Sequence, residues 1–553
     1  MKIKIKKSFI SVICVLSIIF MTQLPTQAAE IDIADQKLAN DVGIIAGNFK
    51  TDGTILSEDI DLPESYSSKD LGYTTPVRNQ KQYNTCWAQS PTASLEILLK
   101  KNKVFSDWLS PMHMNYFATT QSNSTGWIRD YTEGAYTFTS MGYLTSWSGA
   151  KAESDFPYDT PYENFANLDA TAKTIAGVNS IMYLDRSDID TIKTAIYNYG
   201  STTGNYHHDA SKYLNASNYS YYCNATNISI SNLQGHCVCV VGWDDNYDKA
   251  NFKKGTRPDK NGAWLCKNSW GEDWGNDGYF WISYEDTYLF NKVFGASYAI
   301  MDYQLPDDNT RLYQNEIYGA IREFNNINQA NNNDITYINV FDFKDKYTLL
   351  DKINFESTSQ GSEFSIYYIP VNFNSVPISD QKTWKKLYSG EIEYCGYISI
   401  DIDDFTVNSG KGAIGIKIQN NTSNTGNSIG TCEWLSSSGK MQFIPETHFG
   451  DSYIVGFKEE PLDLMDYYSD YLNDKIGGTF VIKAIAKKGI IKGDADGDEK
   501  LTITDVTVIQ YYLAYLTTLG EEQIKAADFD NDGAISIKDA TKIQYYLNGM
   551  FIS

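Results

Sequence analysis

The chain has 553 residues, 42% of them apolar and 21% charged, which is enough for two or three domains with separate cores. Its formal net charge of −23 argues against nucleic acid or an anionic membrane as a partner, because both attract basic surfaces. Eight cysteines over this length are too sparse for a disulfide-stapled scaffold.

Residues 1–28 read as a signal peptide. Lys2, Lys4, Lys6 and Lys7 form a basic start, Phe9 to Met21 is a mostly apolar run, and Thr26-Gln27-Ala28 ends in the small residue that signal peptidase needs. That run is too short for a permanent anchor, and nothing later has the length of a membrane span. The expectation is a secreted, extracellular protein. Residues 29–61 are polar without sustained periodicity and read as a short pro-segment or linker. Loss of Cys14 with the signal leaves seven cysteines, an odd number, so at least one thiol has no partner within the chain.

Residues 62–300 carry mixed patterns. Ala88, Thr92, Leu95, Leu98 and Leu99 make the buried stripe of a helix over 85–101, and strand-like runs follow at 236–243, 263–268 and 278–284. A helix followed by strands predicts an α+β domain. Cys86 falls at the start of the helix, where the dipole favours a thiolate. His236 opens the run HCVCVVGW, and Asn268 lies 32 residues beyond it in KNSWGEDWGNDGY. An imidazole beside the thiol would hold it as thiolate, and an Asn oxygen accepting the ring NH would fix the imidazole in one tautomer. An oxyanion formed on a carbonyl would need donors, for which Gln80 offers an amide and Cys86 its backbone NH.

With Gln80, Cys86, His236 and Asn268 in this order, residues 62 to about 300 resemble the papain family of cysteine peptidases. VRNQKQYNTCWA (77–88) is similar to its Gln-to-Cys segment, HCVCVVGW (236–243) to its histidine strand, and KNSWGEDWGNDGY (267–279) to its Asn-Ser-Trp-Gly segment. LPESYSSKDLGYTTPVRNQ, from Leu62, resembles a mature papain-like N-terminus. The resemblance implies Cys86 as nucleophile, His236 as imidazolium partner and later general acid, Asn268 as its orienter, and Gln80 in the oxyanion hole. It also implies that Trp270 shields the contact between Asn268 and His236 from water. Three features depart from the pattern. Tyr83 stands where relatives often carry a cysteine, Glu133-Gly134 replaces a Gly-Gly pair lining the cleft, and Pro91 should kink the helix by removing one donor. His113, His207, His208 and His448 lack such context and read as surface or core residues. Cys237, Cys239 and Cys266 near His236 raise a metal reading, but Cys-x-Cys on a strand spaces the thiols awkwardly for one zinc, which favours buried small residues.

From about 309 to 487 the chain changes to short runs rich in Ile, Tyr and Phe, such as 363–369, 397–402 and 412–418, between Asn/Ser/Gly clusters. This predicts an all-β sandwich. By position and architecture it resembles the lectin-like β module found after some bacterial papain-like peptidases, which implies carbohydrate or protein as its partner. Cys395 and Cys432 are the candidates for its one disulfide.

The last segment, 493–553, contains a repeat offset by 34 residues: each copy is an acidic loop followed by TVIQYYLA (507–514) or TKIQYYLN (541–548). Asp494, Asp496, Asp498 and Asp505 occupy positions 1, 3, 5 and 12 of the first loop, with the Lys500 carbonyl at 7 and Thr502 at 9. Asp528, Asp530, Asp532 and Asp539 repeat this in the second, with the Ala534 carbonyl and Ser536. Hard oxygens at this spacing suit Ca²⁺. Val506, Ile509, Leu513 and Leu516, and Ala540, Ile543 and Leu547, supply the apolar stripes of the helices. The segment resembles a type I dockerin, a small all-α calcium-binding module, and the resemblance implies two Ca²⁺ ions and docking to a cohesin on the scaffold of a cellulosome-type complex. Glu499 stands at loop position 6, where Gly533 stands in the second loop, so a positive φ there would strain the first loop.

The combined expectation is a secreted cysteine endopeptidase acting on protein or peptide substrates and anchored to an extracellular scaffold. Its rivals are a catalytically inactive binding protein and an acyltransferase using the same thiolate.

Overall fold

The computed structural model describes residues 54 and 61–548, apart from 121–124, 326–334, 345–347, 372–377, 408, 420–427, 434, 436–440, 459 and 473–476. The expected signal peptide over 1–28 lies outside the described residues, as does the expected pro-segment except for Thr54 and Asp61.

The helix expected near the thiol runs Cys86–Lys101 and is buried from Cys86 to Leu99, so it is a central rod rather than a surface helix. It continues without a break through Pro91. Its polar residues are buried with it, and each must find a partner inside. Glu96 does so by accepting from Thr75 Oγ1, Arg78 and the Leu109 NH. The helix packs on a seven-stranded sheet through strand Gly235–Asp244, which pairs on one side with Ala263–Lys267 and also with Thr202–His207.

A second sheet crosses from this α+β region into the middle module. Its order is Ser297–Gln304, Gly177–Leu184, Gly396–Thr406, Leu349–Ser357, Ile482–Lys487 and Thr310–Tyr313. The crossing is the antiparallel pairing of Gly396 with Met182 and of Tyr397 with Ile181. Gly396 has φ +136, and a Cβ there would stand 2.1 Å from the Ile181 carbonyl oxygen, so a side chain would force the strands apart. Strand Gly126–Arg129 likewise pairs with Met441–Ile444, with Trp127 and Phe443 rings 4.7 Å apart.

The expected sandwich forms. The module's part of the shared sheet faces a six-stranded sheet containing Glu363–Pro370, Gly410–Gln419 and Thr336–Phe343, and Ile353, Phe355, Ile366, Ile414, Ile416 and Ile482 fill the space between. It differs from expectation in carrying a helix, Leu464–Leu472, and in borrowing strands from the preceding domain. Nor do Cys395 and Cys432 form the candidate disulfide: both are reduced and buried. Cys395 Sγ donates instead to the Thr358 carbonyl, while Cys432 sits on a strand already paired on both sides, opposite Thr479 on one of them.

The C-terminal segment has helices Ile503–Leu513, Glu521–Ala527 and Ile537–Leu547 around a small core of Ala495, Val506, Ile509, Ala527, Ala540 and Ile543. Leu516 and Leu547, expected in the stripes, are exposed. Leu516 lies beyond the helix end, and Leu547 is the last helical residue.

One ion pair belongs to the seam. Lys483, from the middle module, lies 2.9 Å from Glu316 with both side chains almost wholly buried, and its ammonium also donates to the Thr145 carbonyl and to Gln314. Removing one member strands the other charge in a dry site. Lys483→Met is expected to destabilise the protein by about 3 kcal/mol in denaturant titrations monitored by tryptophan fluorescence. An unchanged midpoint would show that Glu316 is not held charged there.

Candidate active site

Cys86 is the first residue of its helix, and the Thr85 side chain does not cap that end. Thr85 Oγ1 is spent on Tyr158 Oη at 2.6 Å, while the Thr85 carbonyl accepts the Ala88 and Gln89 NH groups at 2.8 and 2.9 Å, so the thiol sits at the positive end of the helix dipole. Cys86 Sγ accepts the Cys237 backbone NH at 3.4 Å, which seats the thiol against the residue that follows His236.

Antiparallel pairing of Gly235–Asp244 with Ala263–Lys267 sets the start of one strand beside the end of the other. His236 Nε2 and Asn268 Oδ1 consequently meet at 2.8 Å. An Asn oxygen only accepts, so Nε2 carries the proton and Nδ1 is the basic nitrogen. Nδ1 is buried and makes no hydrogen bond. Trp270 stacks on the imidazole with centroids 4.6 Å apart and planes at 22°, and so covers the contact. Burial pushes His236 down to about 4, with the Asn268 hydrogen bond opposing. A lone imidazolium is therefore unfavourable here, and a charged His236 requires a thiolate beside it.

Gln80 is fully buried and held at both ends: Nε2 donates to the Tyr83 carbonyl at 3.1 Å, and Oε1 accepts from Ser269 Oγ at 2.6 Å. Its backbone NH reaches the Ser269 carbonyl at 2.7 Å, which ties the Gln-to-Cys segment to the Asn segment. Tyr83, where a cysteine was the alternative, packs instead against Tyr131 and Tyr158 at 5.9 Å.

Two residues that local motifs do not reveal belong to these surroundings. His208 lies 6.0 Å from the His236 ring and 4.9 Å from Trp270, held by Tyr206 Oη at 2.9 Å on Nδ1 and pushed down to about 3 by burial. It arrives through pairing of Thr202–His207 with the His236 strand, a link that sequence spacing does not disclose. Arg129 is buried without a carboxylate partner among the described residues. It donates to the carbonyls of Glu133 and Gly134 on the expected cleft wall and of Ala118, and it stacks over Trp87 at 5.0 Å. His113, His207 and His448 lie elsewhere: His113 is held between Tyr143 and Asp169, His207 accepts the Gln234 NH, and His448 is exposed beside Asp451. The thiols of Cys237, Cys239 and Cys266 are driven up by burial and form no converging metal-ligand group with His236 among the described residues.

At the C-terminus, Asp494, Asp496 and Asp505 converge within 4.8 Å, as do Asp528, Asp530 and Asp539. Burial and mutual repulsion raise Asp494 and Asp496, and buried Asp530 Oδ1 has no hydrogen-bond partner; a cation would relieve both. The other expected ligands are not drawn into these groups. Asp498 accepts the Lys500 NH, Asp532 accepts the Ala534 NH, and Thr502 and Ser536 cap their helices in reciprocal boxes with Asp505 and Asp539. Glu499 has φ 63, the left-handed conformation that strains a side chain there, against 88 for Gly533.

Three family models match successive segments of the chain. The papain family cysteine protease model matches residues 62–298, the lectin like domain model 312–486 and the dockerin type I domain model 492–548. The crystal structure of the cysteine protease and lectin-like domains of Cwp84, a surface layer associated protein of Clostridium difficile, is similar at 32% identity and TM-score 0.67, covering 83% of this chain and 95% of that one. A structure of Cwp84 after propeptide cleavage gives 34% identity and TM-score 0.66, covering 77% and 99%. Cathepsin K of Mus musculus is 29% identical over 39% of this chain and 59% of its own length, so the match spans less than two thirds of that relative. Cathepsin L2 of Homo sapiens is 25% identical over 48% and 75%.

In Cys86→Ala protein, nothing remains to sustain an imidazolium. His236 is then expected to titrate near 4 by NMR, and the variant should lose stability as pH falls from 6.5 towards 4, because only the unfolded chain takes up that proton over the interval. Titration of His236 near its ordinary value of 6.5 would contradict the dry, neutral site described above.

Proposed function

The chain belongs to the papain family of cysteine proteases, and from that premise we propose that it is an exported endopeptidase hydrolysing peptide bonds through Cys86, His236, Asn268 and Gln80. The observation that carries the reading is the His236–Asn268 hydrogen bond, covered by Trp270 and set beside the Cys86 thiol at a helix start.

The thiolate of Cys86 attacks the scissile carbonyl carbon and forms a C–S bond, while the carbonyl oxygen takes the negative charge. That oxyanion is received by the Cys86 backbone NH and the Gln80 amide, whose orientation is set by Tyr83 and Ser269. Imidazolium His236 gives its proton to the leaving amine as the C–N bond breaks, leaving a thioester. Neutral His236 then takes a proton from water, the hydroxide adds to the thioester, and the acid departs with regeneration of the thiolate. Asn268 keeps the ring in one tautomer throughout. Arg129 holds the loop carrying Glu133 and Gly134 against the catalytic helix through Trp87.

The dockerin module ties the enzyme to a cohesin on an extracellular scaffold. Asp494, Asp496 and Asp505 would hold one Ca²⁺ and Asp528, Asp530 and Asp539 a second, completed by Asp498, Asp532, Thr502, Ser536 and the Lys500 and Ala534 carbonyls. Bound calcium supplies the charge that lets these acidic loops stay folded together.

A peptide-library assay with an amine acceptor present tests the catalytic reading. Wild type is expected to release free acids, and Cys86→Ala to release none. No thiol-dependent cleavage would favour a binding protein, and amide products in place of acids would favour transfer. Strain at Glu499 predicts a weaker first calcium loop. In a background with the second loop silenced by Asp528→Asn, Glu499→Gly should tighten Ca²⁺ binding by roughly fivefold in calorimetry, the equivalent of about 1 kcal/mol. Equal affinities would show that the backbone there carries no penalty.

A further inference from the structure

Trp270 covers the contact between His236 and Asn268, yet its indole Nε1 is buried and makes no hydrogen bond among the described residues. Rings alone therefore fix where it lies. His236 stacks against it at 4.6 Å, Trp274 meets it at 4.8 Å with planes at 90°, and His208 meets it at 4.9 Å with planes at 74°. The first of these is the group being covered, and Trp274 lies only four residues along the same loop. His208 is the ring that reaches Trp270 from a separate element, just after strand Thr202–His207.

A side chain can act as a stop only if it is itself held. The His208 backbone NH donates to the Gln234 carbonyl at 2.8 Å, its Nδ1 is hydrogen-bonded to Tyr206 Oη at 2.9 Å, and its ring lies nearly parallel to that of Tyr221 at 6.1 Å. Both tyrosines are anchored in turn: Tyr206 meets the edge of His236 at 5.7 Å, and Tyr221 Oη donates to the His207 carbonyl. The titratable groups facing His208 are thus Tyr206, Tyr221 and His236, with His207 and Asp209 beside it in the chain. Burial pushes His208 down to about 3, His236 and His207 act in the same direction, and Asp209 opposes them. The ring against Trp270 is consequently neutral and does not compete with His236 for a proton.

We propose that His208 is a positioning residue that pins Trp270 over His236, so that the bond from His236 Nε2 to Asn268 Oδ1 stays dry and the imidazole keeps its proton on Nε2. Without the pin, Trp270 has no hydrogen bond to stop it swinging away, and water then competes for both ends of that bond. The pinning stands on ring geometry, whereas its effect on turnover rests on the peptidase reading.

Two substitutions in the full chain separate the ring from its hydrogen bond. His208→Phe keeps a ring against Trp270 and gives up the bond to Tyr206; His208→Gln keeps a polar group and presents no ring. In the Cys86→Ala background, His208→Gln should raise the proton affinity of His236 about tenfold in an NMR titration, the size of one ring contact, while His208→Phe should leave it titrating near 4. Trp270→Ala should give at least the same rise, and adding His208→Gln to it should raise the affinity no further, because the pin acts through the ring it holds. With Cys86 present, His208→Gln should lower kcat for peptide hydrolysis about tenfold with KM unchanged, and His208→Phe should restore it. An unchanged titration in His208→Gln overturns the proposal, as does His208→Phe behaving like His208→Gln, or a further rise when His208→Gln is added to Trp270→Ala. The expected titrations in a protein whose Cys86 form cleaves no peptide keep the pinning and sink the peptidase reading instead.

Discussion

The pairing of strand Gly235–Asp244 with Ala263–Lys267 is the constraint on which the site depends. It brings two residues 32 apart in sequence to 2.8 Å and leaves the basic nitrogen of His236 without a competing hydrogen-bond partner among the described residues. The helix start at Cys86 adds the thiol, and the Gln80–Ser269 bonds lock the segment before the thiol to the segment after Asn268. Each contact would be weak alone, since a neutral hydrogen bond is worth about 1 kcal/mol net. Buried together, they leave the imidazole one orientation.

The middle module is structurally inseparable from the preceding domain. A sheet running from Ser297–Gln304 through Gly177–Leu184 into Gly396–Thr406 makes the two share backbone hydrogen bonds, and Lys483 adds a buried charge across the seam. The second crossing, Gly126–Arg129 with Met441–Ile444, ends at Arg129, whose guanidinium grips the Glu133–Gly134 loop. Backbone continuity thus runs from the middle module to the loop beside the Cys86 helix. The C-terminal segment differs, with a separate small core of its own.

What could be read from the sequence was local. Cys86, His236 and Asn268 each sit in a distinctive run, and the acidic loops repeat at a fixed offset, so residue type and spacing were enough to single them out. The departure at Glu499 was readable too, because the twin loop supplies its own control at Gly533, although the sign of its φ came only from the structure. His208 was not, since its place depends on which strand pairs with the histidine strand, and Arg129 was not, since its acceptors are the Asn115 amide oxygen and backbone carbonyls, none of which carries a sequence signature. The shared sheet escaped for the same reason: alternation predicts a strand but says nothing of its neighbour. Cys395 and Cys432 were candidates for pairing as the module's two cysteines, and both remain free, buried thiols.

The low proton affinity of His236 clarifies how such a site can work at all. A desolvated imidazole pushed down to about 4 would be a poor acid–base partner near neutrality if it titrated by itself. Beside a thiol the relevant equilibrium is different: a proton moves from sulfur to nitrogen within the pocket, and both charges appear or vanish together. Desolvation then penalises only a dipole, which the helix start at Cys86 and the Asn268 oxygen both stabilise. The same burial that makes the isolated histidine a weak base makes any separated charge expensive, so in the proposed reaction acylation, which would consume the thiolate, would have to be coupled to the departure of the imidazolium proton. Trp270, stacked on the ring, covers its face of the imidazole and would keep bulk water from supplying or removing that proton there.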